Sequence, residues 1–172
     1  MMRIFIALQP APAFLDALAS LQDRLRVAGV NGRYLTLSNL HLTLAFIGMW
    51  PESISGLLPL VEQPFPITLS HLGIFPAAKV LWAGVEPSDD LNRLAQQVRN
   101  VLSEAEIPFD QQDFNPHFTL VRKPAVPEHV LLSEIEMPQA TMIVKDVCLY
   151  RSDHGEYGME YTVIGRSKQG GE

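Results

Sequence analysis

Cysteine is nearly absent. Cys148 stands alone, within an apolar run, so no internal disulfide can form and no Cys/His spacing resembles a zinc site. A buried structural thiol is the expectation, and the usage fits a reducing cytoplasm. Basic residues are also in deficit: 13 Lys and Arg stand against 19 Asp and Glu, a formal charge of -6. A protein that follows a long nucleic-acid backbone carries a basic face. Any nucleic acid recognised here is therefore expected to be short, or to be met only at its end. Long hydrophobic runs are missing too, none approaching the ~20 residues that span a bilayer. Gln9, Pro10 and Pro12 cut the first apolar stretch to Ile4–Leu8, which argues against a signal peptide. These absences predict a cytoplasmic protein with no membrane contact, and a monomer by default.

The remainder is an ordinary globular composition. With 172 residues, 47% hydrophobic and 19% charged, the chain is about one domain long and buries roughly 70% of its unfolded surface on folding. Apolar periodicity predicts strands at Arg3–Leu8, Leu40–Ile47, Ile67–Phe75, Val80–Val85 and Pro116–Val121. A closing pair is predicted at Met142–Arg151 and Met159–Arg166, turning near Gly155–Gly158. Phe14, Leu18, Leu21, Leu25 and Ala28 recur at helical spacing from Pro12. Leu91, Leu94, Ala95, Val98, Val101 and Leu102 do so over Asp89–Glu104. Shorter helices are predicted at Pro51–Leu60 and Pro127–Glu134. Residues 1–166 read as one bilobal domain and residues 167–172 as a loose tail.

The pattern repeats. Strand, helix and strand run from Ile4 through Pro12 to His41, and again from Val80 through Pro87 to His117, so that equivalent points lie 75 or 76 residues apart. Both copies end alike: Asn39-Leu-His-Leu-Thr-Leu-Ala matches Asn115-Pro-His-Phe-Thr-Leu-Val. The fold class expected is α+β. It has two pseudo-symmetric lobes, each a mainly antiparallel sheet flanked by helices, with the repeated motifs facing each other across a cleft.

Alternation along a strand puts residues i and i+2 on one face. His41 and Thr43 thus share a face, as do His117 and Thr119. Strict alternation sends Phe46 and Arg122 to the opposite, apolar face. A strand that twists or ends at Arg122 would still bring that guanidinium to the cleft rim for a phosphate, and Phe46 is a candidate for the nucleobase side. One His-x-Thr pair on a half-buried strand is usually structural. Chance would give about 0.17 such pairs in this composition; two occur, at equivalent points of a repeat. Two facing imidazoles, with ordinary pKa values near 6.5, suit paired acid and base work without a metal or other cofactor. In-line hydrolysis of a phosphodiester needs both, and threonine hydroxyls suit its non-bridging oxygens. Which imidazole is acid and which base does not follow from the motif.

The paired motifs resemble the 2H phosphoesterase superfamily, and more closely its RNA 2′,3′-cyclic phosphodiesterase branch, also called the 2′-5′ RNA ligase branch. The resemblance extends to Arg3-Ile-Phe-Ile-Ala, Gly73-Ile-Phe-Pro, Val80-Leu-Trp-Ala-Gly-Val and the closing Arg122. It implies a bilobal fold with a V-shaped cleft and opening of RNA 2′,3′-cyclic phosphate ends, or small cyclic nucleotides, to 2′-phosphates. It further implies His41 as proton donor, His117 as proton acceptor, Thr43 and Thr119 as phosphate holders, and a reverse 2′-5′ ligation. Two positions depart from the family pattern: Tyr34 where Trp is frequent, and Lys79 where Arg is frequent. A binding module without turnover and a metal-dependent phosphohydrolase are the alternative readings.

Overall fold

Two helices are held by their ends. The first, α1 (Pro12–Ala28), opens on a proline that has no N–H to leave unpaired. It closes at Gly29 (φ 98°), whose N–H returns to the Leu25 and Arg26 carbonyls; the left-handed conformation there suits glycine. The second, α2 (Asp89–Glu104), is capped by Ser88, which accepts from the Leu91 N–H, a contact worth about 1 kcal/mol. Asp89 and Asp90 complement its N-terminal dipole. Each helix buries one apolar stripe, Phe14, Leu18, Leu21 and Leu25 on α1, and Leu91, Leu94, Ala95, Val98 and Leu102 on α2.

Around them run nine strands: β1 (Met2–Leu8), β2 (Asn31–Tyr34), β3 (Leu42–Trp50), β4 (Phe65–Phe75), β5 (Val80–Val85), β6 (His117–Ala125), β7 (Thr141–Val144), β8 (Cys148–Gly155) and β9 (Gly158–Arg166). This is a computed structural model, and it describes residues 1–167. The strand order is β9-β8-β1-β3-β6-β5-β4-β7, with β2 added on β6. All pairings are antiparallel. The order is a palindrome in role. Each half runs inward to the strand carrying a His-x-Thr motif, and β3 meets β6 through one pair, Leu42 with Phe118. The expected α+β fold of two antiparallel lobes is therefore the one adopted. Among the described residues no helix is long and apolar enough to cross a membrane.

The lobes are tied across this seam by matching contacts. Gln22 of α1, 2% exposed, donates to the Leu120 carbonyl of β6 at 3.1 Å, and Phe14 packs on Phe118 at 5.3 Å. Reciprocally, Arg99 of α2 donates to the Leu44 carbonyl of β3 at 3.3 Å. The chain preceding each motif also pairs with the other motif strand: Leu35 N–H reaches Leu120 O, and Asp110 N–H reaches Phe46 O.

Several expectations are corrected. Pro51–Leu60 is not a helix but a loop with one 3₁₀ turn, Ser55–Leu57, and Pro127–Glu134 likewise keeps only Leu132–Glu134. Both segments are short and proline-bounded, too little to nucleate an α-helix. Met142–Arg151 is two strands, not one. The chain leaves β7 in one lobe and enters β8 in the other, and the charged Lys145-Asp146 pair lies in the crossing. The four-residue β2 has too little alternation to be read from sequence. Ser167 is not loose: it is buried, its N–H donates to Val147 O and its Oγ accepts from Val147 N–H. The rest of the expected tail, 168–172, lies outside the described residues. Cys148 is buried as expected, and burial pushes its thiol up to about 11.

Candidate active site

β3 and β6 each carry an extra residue against their partners. Ile6 faces Ala45 and Ala7 faces Thr43, leaving Leu44 unpaired; Leu81 faces Val121 and Trp82 faces Thr119, leaving Leu120 unpaired. These equivalent bulges break the two-residue alternation. Leu44 and Ala45 are both buried, as are Leu120 and Val121, and the next residue on each strand returns to the motif face. Phe46 and Arg122 thereby join the cleft, where strict alternation had sent them to the apolar side. His41, Thr43, Phe46, His117, Thr119 and Arg122 all line one cavity of about 570 Å³. It lies astride the β3–β6 seam. The Leu42–Phe118 register turns His41 toward Thr119 and Thr43 toward His117.

The two imidazoles are set alike. Each Nδ1 lies 2.7 Å from the backbone carbonyl two residues earlier, Asn39 for His41 and Asn115 for His117. A carbonyl only accepts, so Nδ1 carries the hydrogen and Nε2 is left for the cleft. Behind His41 lie Phe5, Tyr161 and Tyr150, at 4.7, 5.2 and 5.6 Å between ring centroids. Behind His117 lie Phe75 at 5.0 Å and Trp82 at 6.1 Å. The Asn39 side chain anchors the first motif, donating to Met159 O at 2.8 Å and accepting from Tyr161 N–H at 3.2 Å.

Burial disfavours the charged form of both rings. It lowers His41 to about 4, a fall to which the charges of His117 and Arg122 add and which the Asn39 carbonyl opposes. His117 is also lowered by burial, against the Asn115 carbonyl. Both rings are therefore neutral at pH 7 in the free protein.

A model of the 2′-5′ RNA ligase superfamily matches residues 11–156. The chain belongs to that superfamily. A Thermotoga maritima relative named RNA 2′,3′-cyclic phosphodiesterase is 29% identical over 175 residues, covering 95% of this chain and 93% of its own. An Aquifex aeolicus relative of the same name is 30% identical over 159 residues, covering 83% and 84%. Among solved structures, a Thermus thermophilus protein superposes with a TM-score of 0.77 at 29% identity, over 96% of each chain.

This superfamily member's cleft also holds residues that no motif announced. Tyr161 of β9 sets its ring edge against His41, and its hydroxyl accepts from Arg122 Nη2 at 3.3 Å, so one side chain touches functional groups of both lobes. The only sequence signal was its alternation with Met159 and Val163. Arg3 lies over the Phe46 ring at 5.2 Å. Arg99 holds the rim segment through Gln112 O at 2.8 Å and brings Asp110 and Asp113 to the cleft wall.

The other three histidines, Tyr34 and Lys79 do not line the cleft. His71 bonds Ser70 Oγ at 3.1 Å and packs on Trp82, while His129 and His154 are exposed. Tyr34 donates to Val30 O and stacks under Arg26; the Lys79 carbonyl accepts from Lys123 N–H. Arg151–Gly155 is part of strand β8. Among the described residues no group of three or more His, Cys, Asp and Glu is gathered to hold a metal.

Proposed function

We propose that this protein hydrolyses 2′,3′-cyclic phosphate ends of RNA, or of small cyclic nucleotides, to 2′-phosphates by two-histidine acid–base catalysis, without a metal. The observation that carries the reading is the pair of equivalent imidazoles, each with Nδ1 committed to a carbonyl and Nε2 left for one shared cleft. The names of the relatives support the reaction class. His117 Nε2 takes a proton from water as its oxygen attacks phosphorus in line with the 3′ oxygen. The P–O3′ bond breaks, and the 3′ oxygen takes the proton of His41 Nε2, leaving a free 3′-hydroxyl and a 2′-phosphate. Thr43 and Thr119 donate to the non-bridging oxygens, where negative charge accumulates, Arg122 binds the charge the phosphodiester already carries, and Phe46 offers a ring face to the base. With a 5′-hydroxyl in place of water, the same step forms a 2′-5′ phosphodiester as the P–O3′ bond breaks and His41 protonates the 3′ oxygen; water, as the more abundant nucleophile, favours hydrolysis.

His41 is the more desolvated ring, so its proton comes with the substrate. A bound phosphodiester anion beside it favours the imidazolium, opposing burial. The acid is thus charged in the complex and not before it.

The experiment is hydrolysis of a short RNA with a 2′,3′-cyclic end in excess EDTA, with the phosphate of the product located. A 2′-phosphate formed at an undiminished rate is the expected result. A 3′-phosphate product, or turnover that returns only with a divalent ion, overturns the mechanism.

Tyr161 gives a second check. Tyr161→Phe keeps the ring against His41 and removes the hydroxyl that holds Arg122. Loss of one such hydrogen bond raises KM roughly 3- to 10-fold, with kcat little changed because Arg122 binds ground and transition states alike. A kcat defect as large as the KM defect would instead place the hydroxyl in the chemical step.

A further inference from the structure

The catalytic cleft does not end at Arg3, Ser152 and Met159. These three residues also line a second cavity, of about 530 Å³, whose far side holds Met49, Arg151 and His154. From this junction we propose a subsite for the penultimate nucleotide of an RNA chain, so that the preferred substrate is an oligonucleotide end and not a free cyclic nucleotide. The inference rests on the hydrolytic reading above.

A cyclic-phosphate nucleotide in the first cleft connects to the rest of its RNA through its 5′ oxygen alone, so the chain must leave by a continuous opening. The second cavity offers one, and its chemistry suits a phosphate and a second base. Arg151 donates through Nε to Asp153 at 2.8 Å, and its side chain remains 43% exposed. Among the described residues its Nη groups have no partner, which leaves the fork open to an internucleotide phosphate. Arg3, stacked over Phe46 at 5.2 Å, puts a second guanidinium at the boundary between the cavities. Met49 and Met159 supply soft apolar surface for a base without selecting its identity. The hairpin beyond bears Asp153, Glu156 and Glu160, all exposed. A longer chain therefore gains nothing past the second nucleotide.

The test compares kcat/KM for a nucleoside 2′,3′-cyclic phosphate with di- and tetranucleotides ending in the same group. The dinucleotide should exceed the nucleoside about tenfold, the worth of one charged hydrogen bond, and the tetranucleotide should match the dinucleotide within about twofold. Arg151→Gln should erase the gain and leave nucleoside turnover unchanged; Arg151→Glu should make the dinucleotide the poorer substrate. Equal kcat/KM for nucleoside and dinucleotide, or a gain that survives Arg151→Glu, would overturn the subsite. If the protein hydrolyses none of the three, the functional reading fails instead. Calorimetric affinities for the corresponding 2′-phosphate products then decide the subsite alone: tighter dinucleotide binding, weakened by Arg151→Gln, supports it, and equal affinities refute it.

Discussion

Replacing His41 or His117 by alanine should lower turnover of a 2′,3′-cyclic end by roughly 10²–10⁴-fold each, or about 3–5 kcal/mol of barrier. Each ring's one hydrogen bond is to a carbonyl two residues away, so both variants should fold; His41→Ala, which also gives up packing on Phe5, Tyr150 and Tyr161, should lower the melting temperature the more. The two losses differ in kind, and a better leaving group separates them. A 3′-deoxynucleoside 2′-(4-nitrophenyl phosphate) releases a phenolate that needs no proton. On this substrate His41→Ala should recover most of its activity, because only the acid has been removed. His117→Ala should stay impaired, because water still needs its base. The reverse pattern would exchange the roles assigned to the two histidines. Near wild-type turnover of the cyclic substrate in either variant would end the two-histidine mechanism.

The pH dependence should be steep and displaced toward acid. In the free protein the productive state holds one proton on the pair, which titrates as a unit. With His41 lowered to about 4 and His117 also lowered from 6.5, kcat/KM should peak between those values. It should then fall about tenfold per pH unit above them, roughly 100-fold between pH 6.5 and pH 8.5. The profile of kcat should decline at higher pH, because the bound phosphodiester favours the imidazolium. KM therefore rises with pH while kcat holds. A kcat/KM that stays flat from pH 6 to 9 would contradict the requirement for a protonated acid. Stability runs the other way. Both folded-state values lie below the unfolded one, so the unfolded chain binds more protons. The contribution of the neutral rings is present above pH 6.5 and is lost as pH falls toward 4. The melting temperature should drop across the same range in which kcat/KM is greatest.

Much of this site was legible in the chain. The helices at Pro12–Ala28 and Asp89–Glu104 and the strand at Val80–Val85 match their apolar periodicity to the residue. The duplicated Asn-x-His-x-Thr-Leu words located four residues of the cleft without reference to the fold. Phe46 and Arg122 were misdirected because a bulge is a relation between strands. Nothing in Leu44-Ala45 or Leu120-Val121 distinguishes an extra residue from an ordinary apolar run until the partner strand sets the register. Tyr161 was illegible as a cleft residue for a related reason: β9 reaches the cleft through β8, outside β1, a long-range placement that no local spacing encodes. The Met142–Arg151 run misled because its apolar residues serve two different lobes.

The crossed ties make the two halves of the chain depend on each other. Gln22 and Arg99 sit near equivalent points of the two halves, and each reaches over the seam to a carbonyl of the other half's motif strand. Phe14 and the Leu35 N–H cross in the same direction. A chain of half this length would bare the apolar stripe of its helix and leave a motif strand without its neighbour. Neither half is therefore a folding unit by itself. Phe46 and Arg122, 76 positions apart on matching bulges, break the symmetry of the two halves, so the cleft presents a ring on one side and a guanidinium on the other.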